Sequence, residues 1–236
     1  MKRLISVLLI FLLFCSAEGQ NTQGWFDFFG YKKFGKSWQY EGNIGMDVLM
    51  KQNGWFEIYF TNAVSAGIVK WYELEGGLEF HKTTDPVNYD VSEITFTLAQ
   101  RFNFVQYLRA IHLQKPYFAM CLEQRYLWYP EEDTSDNKTR MRLKLGGRII
   151  LNRDAMVEKA IYMPFYFEGF FNFNGEAFEH TAEKAKASLG IGYILDRRWM
   201  GEFVYKLQLG RNTLTNDVER SNIIFQALVR YHFGKR

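Results

Sequence analysis

An imidazole beside carboxylates is the pairing in this chain best suited to acid–base chemistry, and it occurs twice: His81 with Asp85, and His180 with Glu176 and Glu179. At the rim of a barrel either could serve as a general base against lipid. No serine stands near enough in the sequence to complete a nucleophile, and a surface histidine near acids is common by chance. Phosphate loops, nucleophile elbows, His-Glu-x-x-His and paired CxxC motifs do not occur. Gly190-Ile191-Gly192 begins like a dinucleotide fingerprint but lacks the third glycine and the following helix. The run Glu131-Glu132-Asp133-Thr134-Ser135-Asp136-Asn137 offers oxygen ligands for calcium, or for divalent ions bridging lipopolysaccharide. Without the Asp-x-Asp-x-Asp-Gly order it reads as a solvated loop. No residue is assigned to catalysis, to a cofactor or to a metal.

Composition limits the elements that must carry these residues. The chain has 236 residues, 47% apolar, 18% aromatic and 23% charged, with four prolines. It is therefore neither disordered nor collagen-like, and one domain is expected at this length. A net charge of +3 is too small to argue for nucleic acid. Mean hydropathy is -0.25, and no apolar run is long enough for a helical span. A membrane barrel averages to just such a score, because its strands alternate.

Met1-Lys2-Arg3, the apolar run Leu4 to Phe14 and the small, polar stretch Cys15 to Gln20 read as a secretory signal peptide, with cleavage after Ala17 or Gly19. The bulky Phe14 argues against lipidation at Cys15. The expected division is a signal peptide over 1–19 and a single barrel domain over 20–236, where Cys121 is the lone cysteine and a small packing residue.

Past Gln20 the periodicity is two. It predicts strands at 24–34, 38–50, 55–66, 70–81, 91–104, 116–128, 139–152, 161–174, 183–195, 199–210 and 221–233. These are about twice the usual globular length and suit tilted membrane strands. Short connections at 34–37 and 196–198 alternate with long ones at 130–138, 175–182 and 212–220, the layout of outer-membrane barrels. If the last strand runs toward the periplasm, the hairpin at 34–37 also lies on that side and the first strand starts outside. Bacterial single-chain barrels usually have even strand numbers, so the expectation is ten closing strands plus an N-terminal segment, or twelve in all.

The polar faces collect ten acids, Glu41, Asp47, Glu57, Glu73, Glu75, Glu79, Glu93, Glu123, Glu168 and Glu202, and ten bases, Arg101, Arg125, Arg140, Arg142, Lys144, Arg148, Lys184, Lys186, Lys206 and Arg230. Turned to lipid, each base would cost about 2–4 kcal/mol at the midplane, so this face must look into a lumen or water. Acids dominate the first half of the chain and bases the second, and closure sets the halves opposite one another. The interior reads first as a salt-bridged plug and second as a charge-lined pore. Trp25, Trp38, Trp55, Trp71, Trp128 and Trp199 all fall at predicted strand ends, where indole rings form interfacial girdles.

Several of these segments together resemble a known family: Trp25-Phe26-Asp27-Phe28-Phe29, Phe34-Gly35-Lys36-Ser37-Trp38, Leu122-Glu123-Gln124-Arg125-Tyr126, and Arg140-Met141-Arg142-Leu143-Lys144-Leu145 leading to Pro164-Phe165-Tyr166-Phe167-Glu168. The family is the bacterial outer-membrane barrel family catalogued as domain of unknown function 2490, common in Bacteroidetes and relatives. The resemblance covers nearly all of the mature chain; it implies a location and a fold, and carries over no catalytic residue. The terminal aromatics Tyr231 and Phe233 also look like a barrel-assembly signal, though Gly234-Lys235-Arg236 follow them and Leu228 stands where glycine is usual.

The expected protein is all-β: an antiparallel transmembrane β-barrel of 10–12 strands with short periplasmic turns and longer extracellular loops, in the bacterial outer membrane. It is expected to be a structural component or a narrow passive channel and not an enzyme. Its expected partners are outer-membrane lipid, lipopolysaccharide and the barrel-assembly machinery. The rivals are a lipid-modifying barrel enzyme and a soluble lipocalin-like cup, whose apolar faces would turn inward.

Overall fold

The computed structural model describes residues 22–51, 54–85, 90–104, 113–173, 184–211 and 218–234, with the side chains of 211 and 218–221 excepted. The signal segment over 1–19, His112, His180, Glu176 and Glu179 lie outside these residues. The chain forms β1 (Thr22–Phe34), β2 (Trp38–Leu49), β3 (Phe56–Val69), β4 (Tyr72–Thr84), β5 (Val91–Asn103), β6 (Leu113–Tyr129), β7 (Thr134–Ile150), β8 (Ile161–Asn172), β9 (Lys184–Ile194), β10 (Trp199–Arg211) and β11 (Val218–Phe233). Each of the expected strands is present.

The eleven strands close into one barrel, each paired with its sequence neighbours and β1 paired with β11. In an up-and-down meander of eleven strands the first and last run the same way. The closing pair is accordingly parallel, in continuous register from Thr22↔Ile223 to Lys32↔Phe233, while the other ten pairs are antiparallel. This corrects the expectation of ten closing strands with a segment beside them: the Trp25 to Phe34 segment is a full member of the wall. The sheet is mixed, with an odd strand count.

A strand of thirteen residues such as β1, at about 3.3 Å per residue and tilted by about 45°, rises roughly 30 Å, the thickness of a hydrocarbon core. Alternation then divides the side chains cleanly. Ile44, Phe60, Leu98, Leu145, Phe167, Ile191 and Phe203 point outward and are exposed, and Asp27, Asn43, Asp47, Thr95, Glu123, Glu168 and Glu202 point inward and are buried.

The strand ends that flank 35–37, 70–71, 104–112, 151–160 and 195–198 lie at one end of the barrel, here the lower, and those that flank 50–55, 85–90, 130–133, 173–183 and 212–217 at the other. The tightest turns share the lower end, and Gly35 supplies the positive φ of the first. Two long connections join them there, so the lengths do not divide as cleanly as the sequence suggested. The expected loop over 130–138 contracts to the turn 130–133, because β6 and β7 keep pairing as far as Tyr129↔Thr134. β6 also begins earlier than expected. It absorbs Pro116 through a bulge between Gln114 and Tyr117, with Lys115 at φ 51°, the setting in which a strand tolerates proline.

At the lower end the connection over 151–160 folds back on the wall. Lys159 N–H donates to Ile194 O at 2.8 Å and Ile194 N–H to Ala160 O at 3.0 Å. Met156 packs on Ala160, Tyr162, Ile194 and Met200, an apolar cap beneath the charged interior.

Candidate functional site

The site is the lumen. All twenty charged residues expected to line it fall on the inward parity of their strands, beside the buried members of each face. Much of their pairing follows from sheet register. Glu123 on β6 stands directly across from Arg140 on β7 and accepts from Arg140 and, at 3.1 Å, from Arg142. Arg125 binds Glu93 through two nitrogens at 2.7 and 2.5 Å, while Thr95 donates to the same carboxylate at 2.6 Å. Lys144 pairs with Glu168 at 2.9 Å, and Arg101 lies 3.9 Å from Glu73 and over the Tyr117 ring. Nearer the lower end Glu202 gathers Arg148 at 3.3 Å, Arg230 at 3.4 Å and the Tyr162 hydroxyl at 2.8 Å.

Burial makes this arrangement obligatory. An ionised side chain withdrawn from water costs several kcal/mol unless it is paired and hydrogen-bonded. Glu123 is 2% exposed, and its two arginines meet that requirement. Two aromatic rings close further space by lying over glycines: a Cβ on Gly45 would stand 2.0 Å from the Tyr59 ring, and one on Gly192 2.3 Å from Tyr162. In both cases the ring and the glycine face each other across adjacent strands.

A second group of residues joins the site without having been expected there. Asp27, 2% exposed, accepts from Asn43 at 2.9 Å, from Tyr59 at 2.6 Å and from Gln226. The first strand carries aromatics on both parities, which hid its inward face in the sequence. His81 belongs inside too. Its ring nitrogens lie 3.1 Å from Glu57 and 3.3 Å from Glu79, and Tyr59 stacks on it. His81 stands near the upper end of β4, as expected of a rim residue, but its ring turns to lumenal carboxylates and not to Asp85; the period-two step from Glu79 to His81 already put both on one face.

Trp25 is the other correction. It points inward, with Lys206 and Lys186 over its ring and its indole N–H donating to Gln23 at 3.0 Å, so it is not part of a girdle. Trp38, Trp71 and Trp199 are exposed at the lower end and Trp128 at the upper end. Trp55 sits in the 50–55 connection.

The acidic run over 131–137 forms the β6–β7 tip, with Glu131, Glu132 and Asp133 exposed. Among the described residues no group of three or more acids, histidines and cysteines is arranged to hold a metal.

Fold and lumen together define a class: a closed β-barrel turned inside out relative to a soluble cup, charged within and apolar without. The chain belongs to the DUF2490 family, described as a protein of unknown function, whose model matches residues 22–219. No curated protein matches it.

Proposed function

We propose that the chain is an integral outer-membrane barrel with an occluded lumen, serving as a structural component of that membrane and not as an open pore. The observation that carries this reading is the inversion of its faces. Side chains as large as Leu98 (53% exposed) and Phe167 (57%) form a band around the outside, far beyond the apolar patches a water-soluble monomer shows. Burial inside falls instead on Asp27, Glu123, Glu168, Glu202 and Lys206. A lipocalin-like cup would need the opposite arrangement.

Occlusion is supported by contacts between strands that are not neighbours, Arg148 to Glu202 and Tyr166 to Gln226 at 3.4 Å, and by the cap at Met156. A narrow channel would have to pass Asp27, Gln226 and Lys206, all of them buried. A lipid-modifying rim enzyme finds no support in His81, whose two ring nitrogens face lumenal carboxylates. The partners of this reading are outer-membrane lipid and lipopolysaccharide at the outer band, and the assembly machinery at the terminal aromatics. Tyr231 and Phe233 meet edge to face at 4.7 Å beside Trp199, a cluster suited to the interface.

Single-channel recording of the refolded chain in a planar bilayer tests the occlusion. Silence from a barrel that migrates as folded is expected. A steady, ion-selective conductance that changes in Arg142→Gln would replace the occluded reading with the channel.

A further inference from the structure

Lys186 and Lys206 carry lumenal charges that no ion pair compensates among the described residues. Lys206 is 5% exposed; its ammonium lies 3.9 Å from the centroid of Trp25 and 5.7 Å from that of Tyr166. Lys186 approaches the same Trp25 ring at 4.8 Å and Phe170 at 5.2 Å. Neither has a carboxylate within ion-pair distance among the described residues. Glu168 stands directly across from Lys186 on β8, but its ion pair is with Lys144. The Asp27 carboxylate is held by Asn43, Tyr59 and Gln226. Ring faces stabilise a cation only in part, and a buried ammonium without a counter-ion remains unfavourable.

A second, independent observation falls at the same place. Ser188 lies across from Lys206 on one side and Tyr166 on the other. It is 6% exposed, and its hydroxyl makes no hydrogen bond of normal geometry, although the Tyr166 phenol is beside it. Two cations and a hydroxyl without a hydrogen bond of normal geometry thus come together where the lumen is buried and aromatic, a setting that strengthens charge-assisted hydrogen bonds.

We propose that Lys186, Lys206 and Ser188 form a binding site for a small oxyanion, the carboxylate or phosphate group of a solute, with Trp25 as its floor. The ammonium groups supply the counter-charge and the serine a directional donor. The site rests on lumen geometry alone. A chain that bound phosphate yet needed no detergent would therefore end the membrane reading and leave this one standing.

The test titrates the refolded chain with inorganic phosphate and, separately, acetate at constant ionic strength, reading tryptophan fluorescence and the thermal midpoint. A saturable response with a rising midpoint is expected. It should weaken at least tenfold in Lys186→Met and in Lys206→Met, weaken less in Ser188→Ala, and stay unchanged in the exposed Arg197→Gln. Tighter phosphate would mark phosphate esters as the ligand and tighter acetate carboxylates; either supports the site. If the lysine variants do not fold, the wild-type titration decides alone. A response that does not saturate, or is equal for phosphate, acetate and chloride, means an adventitious ion only and overturns the proposal, as does full binding by a folded Lys206→Met.

Discussion

Gln226 donates its side-chain amide to the Asp27 carboxylate across the seam where β1 and β11 run parallel. Arg230 repeats the tie with the Tyr31 hydroxyl, and both contacts join residues 199 positions apart. Because Asn43 and Tyr59 also donate to Asp27, this one side chain connects β11, β1, β2 and β3. Parallel pairing is slightly weaker per residue than antiparallel, so side-chain ties count for more here than elsewhere in the wall.

Asp27→Ala strands three donors, of which Asn43 and Gln226 are buried. At about 1–3 kcal/mol for each unsatisfied group it should cost roughly 3 kcal/mol or more. Asp27→Asn keeps an acceptor oxygen and should cost clearly less. The urea midpoint of the heat-modifiable folded band measures both, and equal losses would contradict the role given to Asp27.

Glu123 and Arg142 should behave as a coupled pair. Glu123→Leu leaves Arg140 and Arg142 without their shared carboxylate and is expected to cost about 3–5 kcal/mol. Adding Arg142→Leu should recover part of that loss, since replacing both partners removes the uncompensated charge. A double-mutant cycle reads the coupling directly; additive losses would mean that the contact contributes nothing.

Leu98 lies outward near the middle of β5. In a bilayer Leu98→Arg should lower folding stability by about 2–4 kcal/mol, whereas the same change on a wetted surface stays within about 0.5 kcal/mol. Folded fraction against urea in lipid vesicles separates the two cases.

Cys121 is buried on the inward face beside Arg142, whose Nη2 lies 3.8 Å from Sγ. Maleimide labelling should be at least tenfold slower in the folded barrel than after heat unfolding, followed by the gel shift of a polymer-tagged reagent. Equal rates would mean a lumen open to solvent at that level.

Period-two alternation made most of this fold legible. The strands from β2 onward carry charge on one parity and large apolar groups on the other, so Glu123, Lys144 and Glu202 could be assigned to the lumen without knowing their partners. β1 resisted because Trp25, Phe26, Phe28 and Phe29 put aromatics on both faces, and the sequence therefore concealed Asp27, the parallel closure and the odd strand number together. Trp25 was misread for a related reason: position at a strand end does not say which way the ring points, and the lysines that draw it inward lie on β9 and β10. The extra length of β6 and β7 was hidden by the polar run after Asp133, where hairpin pairing overrides the solvated-loop preference of the residues.

Refolding of residues 20–236 in buffer alone and in the presence of detergent micelles or lipid vesicles tests the central claim most directly. β-sheet circular dichroism and a heat-modifiable band are expected only when an amphiphile is present to cover Leu98, Phe167 and the rest of the outer band. A monodisperse, cooperatively folded barrel in buffer alone would contradict it.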